Sequence, residues 1–160
     1  MHFSILNGRV ISGVQSSHGK HLVKSMSSSA PSMHSCGLKQ KYFGDNDSAT
    51  KILKANDPMK CKNLGRLVKN YDDKQWRLVR YGFMHDCNYE KYIQDPELKE
   101  KILDPAFDGK EFVEASPTDR NWGIGFGQVD APDDESKWLG QNLLGKVITQ
   151  VRAEILHDLN

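Results

Sequence analysis

The residues best suited to chemistry lie in one stretch, from Glu114 to Gly125, which reads Glu-Ala-Ser-Pro-Thr-Asp-Arg-Asn-Trp-Gly-Ile-Gly. It places a carboxylate, Asp119, three residues before an indole, Trp122, and close to glycines that let the backbone approach a ligand. A carboxylate can transfer a proton or stabilise positive charge at an anomeric carbon, and an indole can stack on a planar base. The stretch is therefore a candidate site for a ribose that carries a nitrogen base.

The same residues also fit a purely structural interpretation. Glu114 would then pair with a buried Arg, Asp119 would cap a turn, and Trp122 would fill the core. Charge networks of this kind are common in folded proteins. The residues alone leave both interpretations open.

A second candidate pairs an indole with a guanidinium. Trp76 and Arg80 are four residues apart, a spacing that makes side chains neighbours on an α-helix, and the Arg fork suits phosphate or carboxylate. The alternative is a packed helix stripe whose Arg ends in solvent or in a salt bridge. Arg66 and Asn142, each close to a Gly in a helical stretch, are similarly ambiguous, because such a Gly often marks only close packing.

Composition and spacing exclude several functional classes. The chain has 160 residues and a net charge of +1, and no stretch reaches the roughly 18 to 20 apolar residues of a membrane span, so neither a membrane protein nor a histone-like binder is expected. Gly123, Gly125 and Gly127 do not follow the order of a dinucleotide-binding fold. The three Cys residues show neither zinc nor disulfide spacing, which predicts no metal site and a reducing compartment.

The first 40 residues differ in composition from the rest of the chain. They contain ten Ser and no Asp or Glu, which predicts an atypical, poorly ordered segment over residues 1–40. Asn7-Gly8, flanked by apolar residues, predicts a short hairpin inside it. A Ser-rich, acid-poor start also suits an organelle transit peptide, but it holds only one Arg, so we expect a cytoplasmic protein with the nucleus as an alternative.

Beyond residue 40 the pattern predicts an α+β fold that is rich in helices and has a small sheet. Alternation over residues 111–116 predicts a strand that Pro117 ends. Helix starts are indicated by Asp or Pro residues followed by apolar positions three or four apart. These starts lie at Asp47-Ser48, Asp57-Pro58, Asp72-Asp73, Pro96 and near Asn142.

The stretch from Tyr42 to Arg152 resembles the NADAR domains, which are also called YbiA-like N-glycosidases. Five ordered blocks carry the resemblance, and no single one would suffice. They are Gly65-Arg66, Trp76-x-x-x-Arg80, Lys91-Tyr92-x-Gln94-x-Pro96-x-Leu98, Glu114 to Gly125, and Trp138-x-Gly140-x-Asn142-x-Leu144-Gly145 followed by Val151-Arg152. The resemblance implies one YbiA-like domain over residues 41–158, with an incomplete N-terminal part.

The resemblance also implies an activity, the hydrolysis of the bond between a ribose and a nitrogen base. Family members act on phosphoribosylamino-pyrimidine intermediates of riboflavin synthesis, and others remove ADP-ribose from nucleic-acid bases. No metal or redox cofactor is expected. Carried over by position, the catalytic residues would be Asp119, Trp122 and Trp76, and the substrate-binding residues would be Arg80, Arg66, Glu114, Gly123, Gly125 and Asn142.

This chain departs from the family near its N-terminus. The family has there a helix with an Ala-Glu-Gln-Tyr-like motif whose Glu is regarded as catalytic, and counting back from Phe43 places that Glu at Ser32. The end of the same helix in the family carries a Lys-Ala pair, with which Lys39 is compatible. We therefore expect residues 1–40 to replace the family's N-terminal segment and activity to be impaired. A nucleotide-binding module without catalysis and a truncated, non-functional product are the alternatives.

Overall fold

A computed structural model describes residues 3–6, 9–12, 37–55 and 57–159 of the protein. The chain forms two compact units. The helical unit is residues 24–94, and the sheet unit combines residues 1–23 with residues 95–160. In sequence, the helical unit therefore interrupts the sheet unit.

The described part of the helical unit contains four helices. Its longest helix begins after Asp72, whose Oδ1 accepts hydrogen bonds from the backbone N–H groups of Lys74 and Gln75. A helix also begins at the predicted Asp57-Pro58 pair, where the Asp57 side chain accepts from the Met59 N–H. The helices are residues 37–42 (α1), Asn46–Leu53 (α2), Pro58–Arg66 (α3) and Asp73–Gln94 (α4).

The predicted start of α2 was wrong by two residues. The pattern favoured Asp47-Ser48, whereas the capping residue is Asp45, whose Oδ1 accepts from the Ser48 N–H at 3.2 Å. The other carboxylate oxygen of Asp45 accepts from the Lys69 N–H, also at 3.2 Å. Because this second bond joins positions 24 residues apart, the local sequence carries no signal of it.

Two apolar clusters hold the helical unit together. Phe43, Val68 and Trp76 form one of them, with Val79 and Phe83 packed against it. The other lies between α2 and α3 and contains Ile52, Ala55, Cys61 and Leu64. Trp76 and Arg80, which the sequence places on one face of a helix, are both buried in α4.

The sheet unit contains three described strands, in the order β1-β2-β3. β1 and β2 pair antiparallel, which confirms the predicted hairpin, although the turn at Asn7-Gly8 lies outside the described residues. β2 and β3 pair in parallel, with Val10 opposite Phe112. The strands are Phe3–Leu6 (β1), Arg9–Ser12 (β2) and Phe112–Glu114 (β3), and the helices are Pro96–Ile102 (α5) and Leu143–Asp158 (α6).

β3 is shorter than the predicted strand, and its side chains do not alternate between core and solvent. Phe112 and Val113 are both buried, as expected for a strand that is covered on both faces. The strand ends at Glu114 because the Ser116 N–H turns back to the Glu114 carbonyl, at 3.1 Å.

α6 is the terminal helix that the sequence predicts. Its buried stripe contains Val147, Ile148, Val151 and Ile155. Arg152 extends from the same helix, donates from Nε to the Ile102 carbonyl at 2.9 Å and pairs with Asp108. The predicted fold class, α+β and rich in helices with a small sheet, is thereby confirmed. Among the described residues, no helix combines the length and apolar character needed to cross a bilayer.

Candidate functional site

The loop after β3 carries the two residues on which the predicted chemistry depends, and we call residues 115–125 the Asp119 loop. Asp119 is half-buried, and its Oδ1 accepts hydrogen bonds from the backbone N–H groups of Asn121 and Trp122, both at 2.9 Å. An Asp that bonds to the backbone two and three residues further on stabilises a tight turn. The Asp119 N–H in turn donates to Ser116 Oγ at 3.3 Å.

The second carboxylate oxygen of Asp119 is not used by this turn. Among the described residues, Oδ2 has no hydrogen-bond or ion-pair partner. The turn therefore fixes the orientation of the carboxylate through one oxygen and leaves the other for a water molecule or a substrate. The turn bonds to Oδ1 confirm the structural interpretation, in which Asp119 caps a turn. The functional interpretation concerns Oδ2 and stays a prediction.

Trp122 follows Asp119 in the same turn. Its indole is half-buried, and its backbone carbonyl accepts from the Leu144 N–H at 3.0 Å. Within the described part of the chain, the indole N–H has no hydrogen-bond partner. An indole fixed through its backbone but open at its polar edge can stack on a ring and also donate to it.

At positions 123 and 125 of the loop, the neighbouring atoms are so close that only glycine fits without a shift. A Cβ on Gly123 would lie 2.8 Å from the Ser116 Cβ and 2.9 Å from the Glu114 carbonyl oxygen. Gly125 has a φ of +79°, a left-handed conformation that other residues rarely adopt, and a Cβ there would meet Leu139. Both glycines therefore shape the loop, and both are buried.

The Asp119 loop is also held by the segment that enters α6. Six consecutive backbone N–H groups, those of residues 139–144, donate to loop carbonyls between Arg120 and Ile124. They include the Leu143 and Leu144 N–H groups of the first turn of α6, which would otherwise lack partners at a helix start. Backbone hydrogen bonds to residues 120–124 thus hold the loop that carries Asp119 and Trp122.

Asn142 lies at the centre of that segment. It is 3% exposed and has a left-handed φ of 52°. Its Oδ1 accepts from the Glu114 N–H at 2.9 Å, and its Nδ2 donates to the Phe112 carbonyl at 3.0 Å. These bonds direct the amide of Asn142 to the backbone of β3, and the substrate-binding role expected from the sequence stays a prediction.

Glu114 ends β3 and precedes the loop. Its side chain is half-buried, and its carbonyl accepts from the Ser116 and Ile124 N–H groups, at 3.1 and 3.0 Å. The structure thus brings together, in the sheet unit, six of the residues that the sequence selects. They are Glu114, Asp119, Trp122, Gly123, Gly125 and Asn142.

The helical unit holds the other predicted site residues. Trp76 is 9% exposed and stacks on Phe83, with ring centroids 5.7 Å apart and an interplanar angle of 18°. Arg80 follows one turn later on the same face and is also 9% exposed. Arg66, by contrast, is exposed at the end of α3 and makes no ion pair with any described residue.

Lys39 lies close to aromatic rings of the helical unit, although the sequence does not select it as a site residue. Its Nζ lies 4.1 Å from the centre of the Tyr71 ring and 5.6 Å from that of Trp76, within range for cation–π attraction. The Tyr71 hydroxyl donates to Asp73, and burial together with this bond raises the pKa of Tyr71. The sequence contains one signal that could have selected Lys39 as a candidate site residue, namely its compatibility with the family's Lys-Ala pair.

The described residues contain no group of three or more His, Cys, Asp or Glu side chains arranged to hold a metal ion. Of the described cysteines, Cys61 is buried and Cys87 half-buried.

Comparison with known proteins gives one consistent result. The pattern of the NADAR domain matches residues 8–156, and so begins 33 residues before the boundary predicted at residue 41. An N-glycosidase of Acanthamoeba polyphaga mimivirus is 38% identical over 117 residues, which cover 72% of this chain and 68% of the viral protein. The protein irg-1 of Caenorhabditis elegans is 39% identical over 120 residues, which are 73% of this chain and 56% of the worm protein.

A solved structure supports the fold independently. The NMR structure of the E. coli protein YbiA matches with a TM-score of 0.66 over 96% of this chain and 89% of YbiA, at 18% sequence identity. At that level of identity the likeness concerns the fold alone. The domain match over residues 8–156 and the 38% identity to the viral protein show the family, and the chain belongs to the NADAR family.

Proposed function

We propose that this protein is an N-glycosidase that hydrolyses the bond between C1′ of a ribose and a nitrogen of a base. The observation that carries the proposal is the Asp119 carboxylate, which is oriented through Oδ1 while Oδ2 has no partner among the described residues. Membership of the NADAR family and a viral relative that is itself called an N-glycosidase support it.

The chemistry assigns a role to each oxygen of Asp119. As the base departs with the electrons of the C1′–N bond, positive charge develops on the ribose, and a fixed carboxylate stabilises that charge. Oδ2 can also accept a proton from the water that attacks C1′. The two N–H groups on Oδ1 keep the carboxylate in place throughout.

Trp122 and the family support the substrate class. The half-buried indole provides a surface on which a base can stack, and the family resemblance implies a phosphorylated ribose. We therefore propose a ribose phosphate or an ADP-ribose as the sugar, attached to a pyrimidine intermediate of riboflavin synthesis or to a base of a nucleic acid.

The first prediction concerns the charge of Asp119. In Asp119→Asn the side-chain oxygen still accepts from Asn121 and Trp122, so the turn is retained while the negative charge is lost. We expect kcat for release of free base to fall by about 100- to 10,000-fold, with little change in thermal stability. Release is followed by chromatography on ADP-ribosylated guanine and on a phosphoribosylaminouracil.

Asp104→Asn is the matched control. Asp104 is an exposed aspartate of the same unit whose Oδ1 accepts from the Ala106 N–H at 2.8 Å, so it loses a charge from the same kind of turn. We expect wild-type kinetics. Equal rates for wild type and Asp119→Asn would contradict the proposed role.

A second candidate function follows from the family position at Ser32, which lies outside the described residues. If the Glu of the family is required, the wild-type chain binds ADP-ribose but does not hydrolyse the bond between an ADP-ribose and the base attached to it. Ser32→Glu then restores hydrolysis. A point substitution is preferable to replacing residues 1–40, because β1 and β2 within that segment pair in the sheet.

The outcomes separate the two functions. Hydrolysis by the wild type supports the enzyme. Calorimetric binding of ADP-ribose without hydrolysis, together with activity in Ser32→Glu, supports the binding module. Absence of both binding and hydrolysis by the wild-type chain would exclude both functions.

A further inference from the structure

We propose that Asn142 is a positioning residue for Asp119 and Trp122, acting through the backbone rather than by touching the substrate. The proposal rests on the proposed function. It starts from one juxtaposition, in which Asn142 holds both ends of the Asp119 loop.

The side chain of Asn142 holds the end at which the loop leaves β3. Oδ1 accepts from the Glu114 N–H and Nδ2 donates to the Phe112 carbonyl, so the amide meets a donor and an acceptor along the same edge of the strand. Thr149 supplies a further bond to this edge, since its Oγ1 accepts from the Phe112 N–H at 3.0 Å. The side chains of Asn142, just before α6, and Thr149, within α6, thus bond to the backbone of β3 as a neighbouring strand would.

The backbone of Asn142 holds the other end. Its N–H donates to the Gly123 carbonyl at 3.2 Å, directly after Trp122. The Ile124 N–H closes the loop by donating to the Glu114 carbonyl at 3.0 Å. Asp119 and Trp122 therefore lie on a span of chain whose two ends are fixed by one residue.

The left-handed backbone of Asn142 allows both contacts at once. A φ of 52° turns the chain sharply at the entrance to α6, and Asn adopts this region more readily than most residues. Both polar atoms of the Asn142 amide already have partners, and the residue is only 3% exposed, so it has little capacity left to bind a ligand.

The decisive variant is Asn142→Gly. Glycine accepts the left-handed backbone, so the turn persists while both side-chain bonds to β3 are lost. We expect kcat for base release to fall by about 10- to 100-fold, because small displacements of catalytic groups cost rates of this order, while KM changes by less than about threefold. In this variant we expect amide hydrogen exchange to become at least about tenfold faster at Trp122, Gly123 and Ile124.

Two further variants distinguish positioning from general support of the fold. Thr149→Val removes the bond to the Phe112 N–H from the same edge. Because the Thr149 hydroxyl bonds to Phe112 and Gly145, which both lie outside the Asp119 loop, this variant should lower stability without changing kcat. Asn70→Gly alters the other described non-glycine residue with positive φ, at 55°, and should change neither the kinetics nor the exchange.

The readouts keep this proposal separate from the proposed function. If the wild type releases no base, the function fails, and the exchange rates alone decide whether Asn142 positions the loop. If Asn142→Gly raises KM and spares kcat, Asn142 contacts substrate and the proposal is wrong. Unchanged loop exchange in Asn142→Gly, or a kcat loss equal to that of Thr149→Val at temperatures where both are folded, would also overturn it.

Discussion

Gly145 marks the place where the first turn of α6 touches β3. A Cβ at this position would overlap the Phe112 carbonyl oxygen and the side-chain amide of Asn142. We predict that Gly145→Ala lowers the free energy of unfolding by about 1 to 3 kcal/mol, the usual range when a well-packed interior must accept an extra methyl group. Urea denaturation monitored by circular dichroism measures the change.

For Gly82→Ala we expect the opposite change, a rise in the free energy of unfolding, in the same experiment. Gly82 is exposed in the interior of α4, and nothing lies within 4 Å of a Cβ built there. Because Gly costs roughly 0.5 to 1 kcal/mol relative to Ala inside a helix, we expect this variant to be stabilised by about that amount. If Gly145→Ala leaves the unfolding midpoint unchanged or raises it, as Gly82→Ala is expected to do, the close approach of α6 to β3 is not as described.

At the residue scale the sequence selects residues of the loop, but it does not show which of their atoms the turn engages. Asp119 and Trp122 are selected by type and spacing, which are local properties. That one oxygen of Asp119 is occupied and the other is not depends on the turn, which brings two N–H groups onto Oδ1. The role of Asn142 depends on a strand 28 to 30 residues away, which no local pattern records.

At the scale of elements, Asp45 joins two parts of the helical unit. It caps α2 through Oδ1 and accepts from the Lys69 N–H through Oδ2. We predict that Asp45→Ala lowers the urea midpoint about twice as far as Asp57→Ala, because Asp57 makes a single capping bond at the start of α3. Equal shifts for the two variants would contradict the bridging role.

The charge of Asp45 adds a dependence on pH. Burial acts to raise the pKa of this carboxyl, but hydrogen bonds from Ser48 and Lys69 outweigh it and hold the pKa below the ordinary 3.8. A folded-state pKa that is lowered stabilises the fold above the unfolded pKa, and this contribution is lost as the pH falls through the folded value. We therefore expect the wild type to be more stable than Asp45→Asn at pH 6. The two stabilities should converge well below pH 3.8, as measured by thermal unfolding.

The helix starts show which element boundaries a sequence can predict. Asp57-Pro58 begins α3 as expected, because an N-cap followed by Pro at the first helical position is a wholly local device. Asp47-Ser48 resembles such a start but lies inside α2, since the cap is set at Asp45 by a bond that also involves Lys69. Local signals locate a helix, and contacts distant in sequence fix its first residue.

At the scale of the whole molecule, the sheet joins segments that are far apart in the sequence. β2 pairs with β3 in parallel although residues 13–111 lie between them. We predict that deletion of residues 1–12 lowers the melting temperature by at least about 5 °C, equivalent to about 2 kcal/mol for a chain of this size, because β3 loses its partner strand. Deletion of residues 1–2 alone leaves both strands and should have no effect, and an unchanged melting temperature in the longer deletion would show that the hairpin contributes nothing to the fold.

The same sheet sets the order in which the molecule can be completed during synthesis. The ribosome makes the chain from its N-terminus, so β1 and β2 exist long before β3 and the α6 residues that hold it. The helical unit is one continuous stretch, residues 24–94, and is finished in the meantime. Until the last part of the chain emerges, β2 keeps an open edge, which a chaperone can cover and which another nascent chain can pair with.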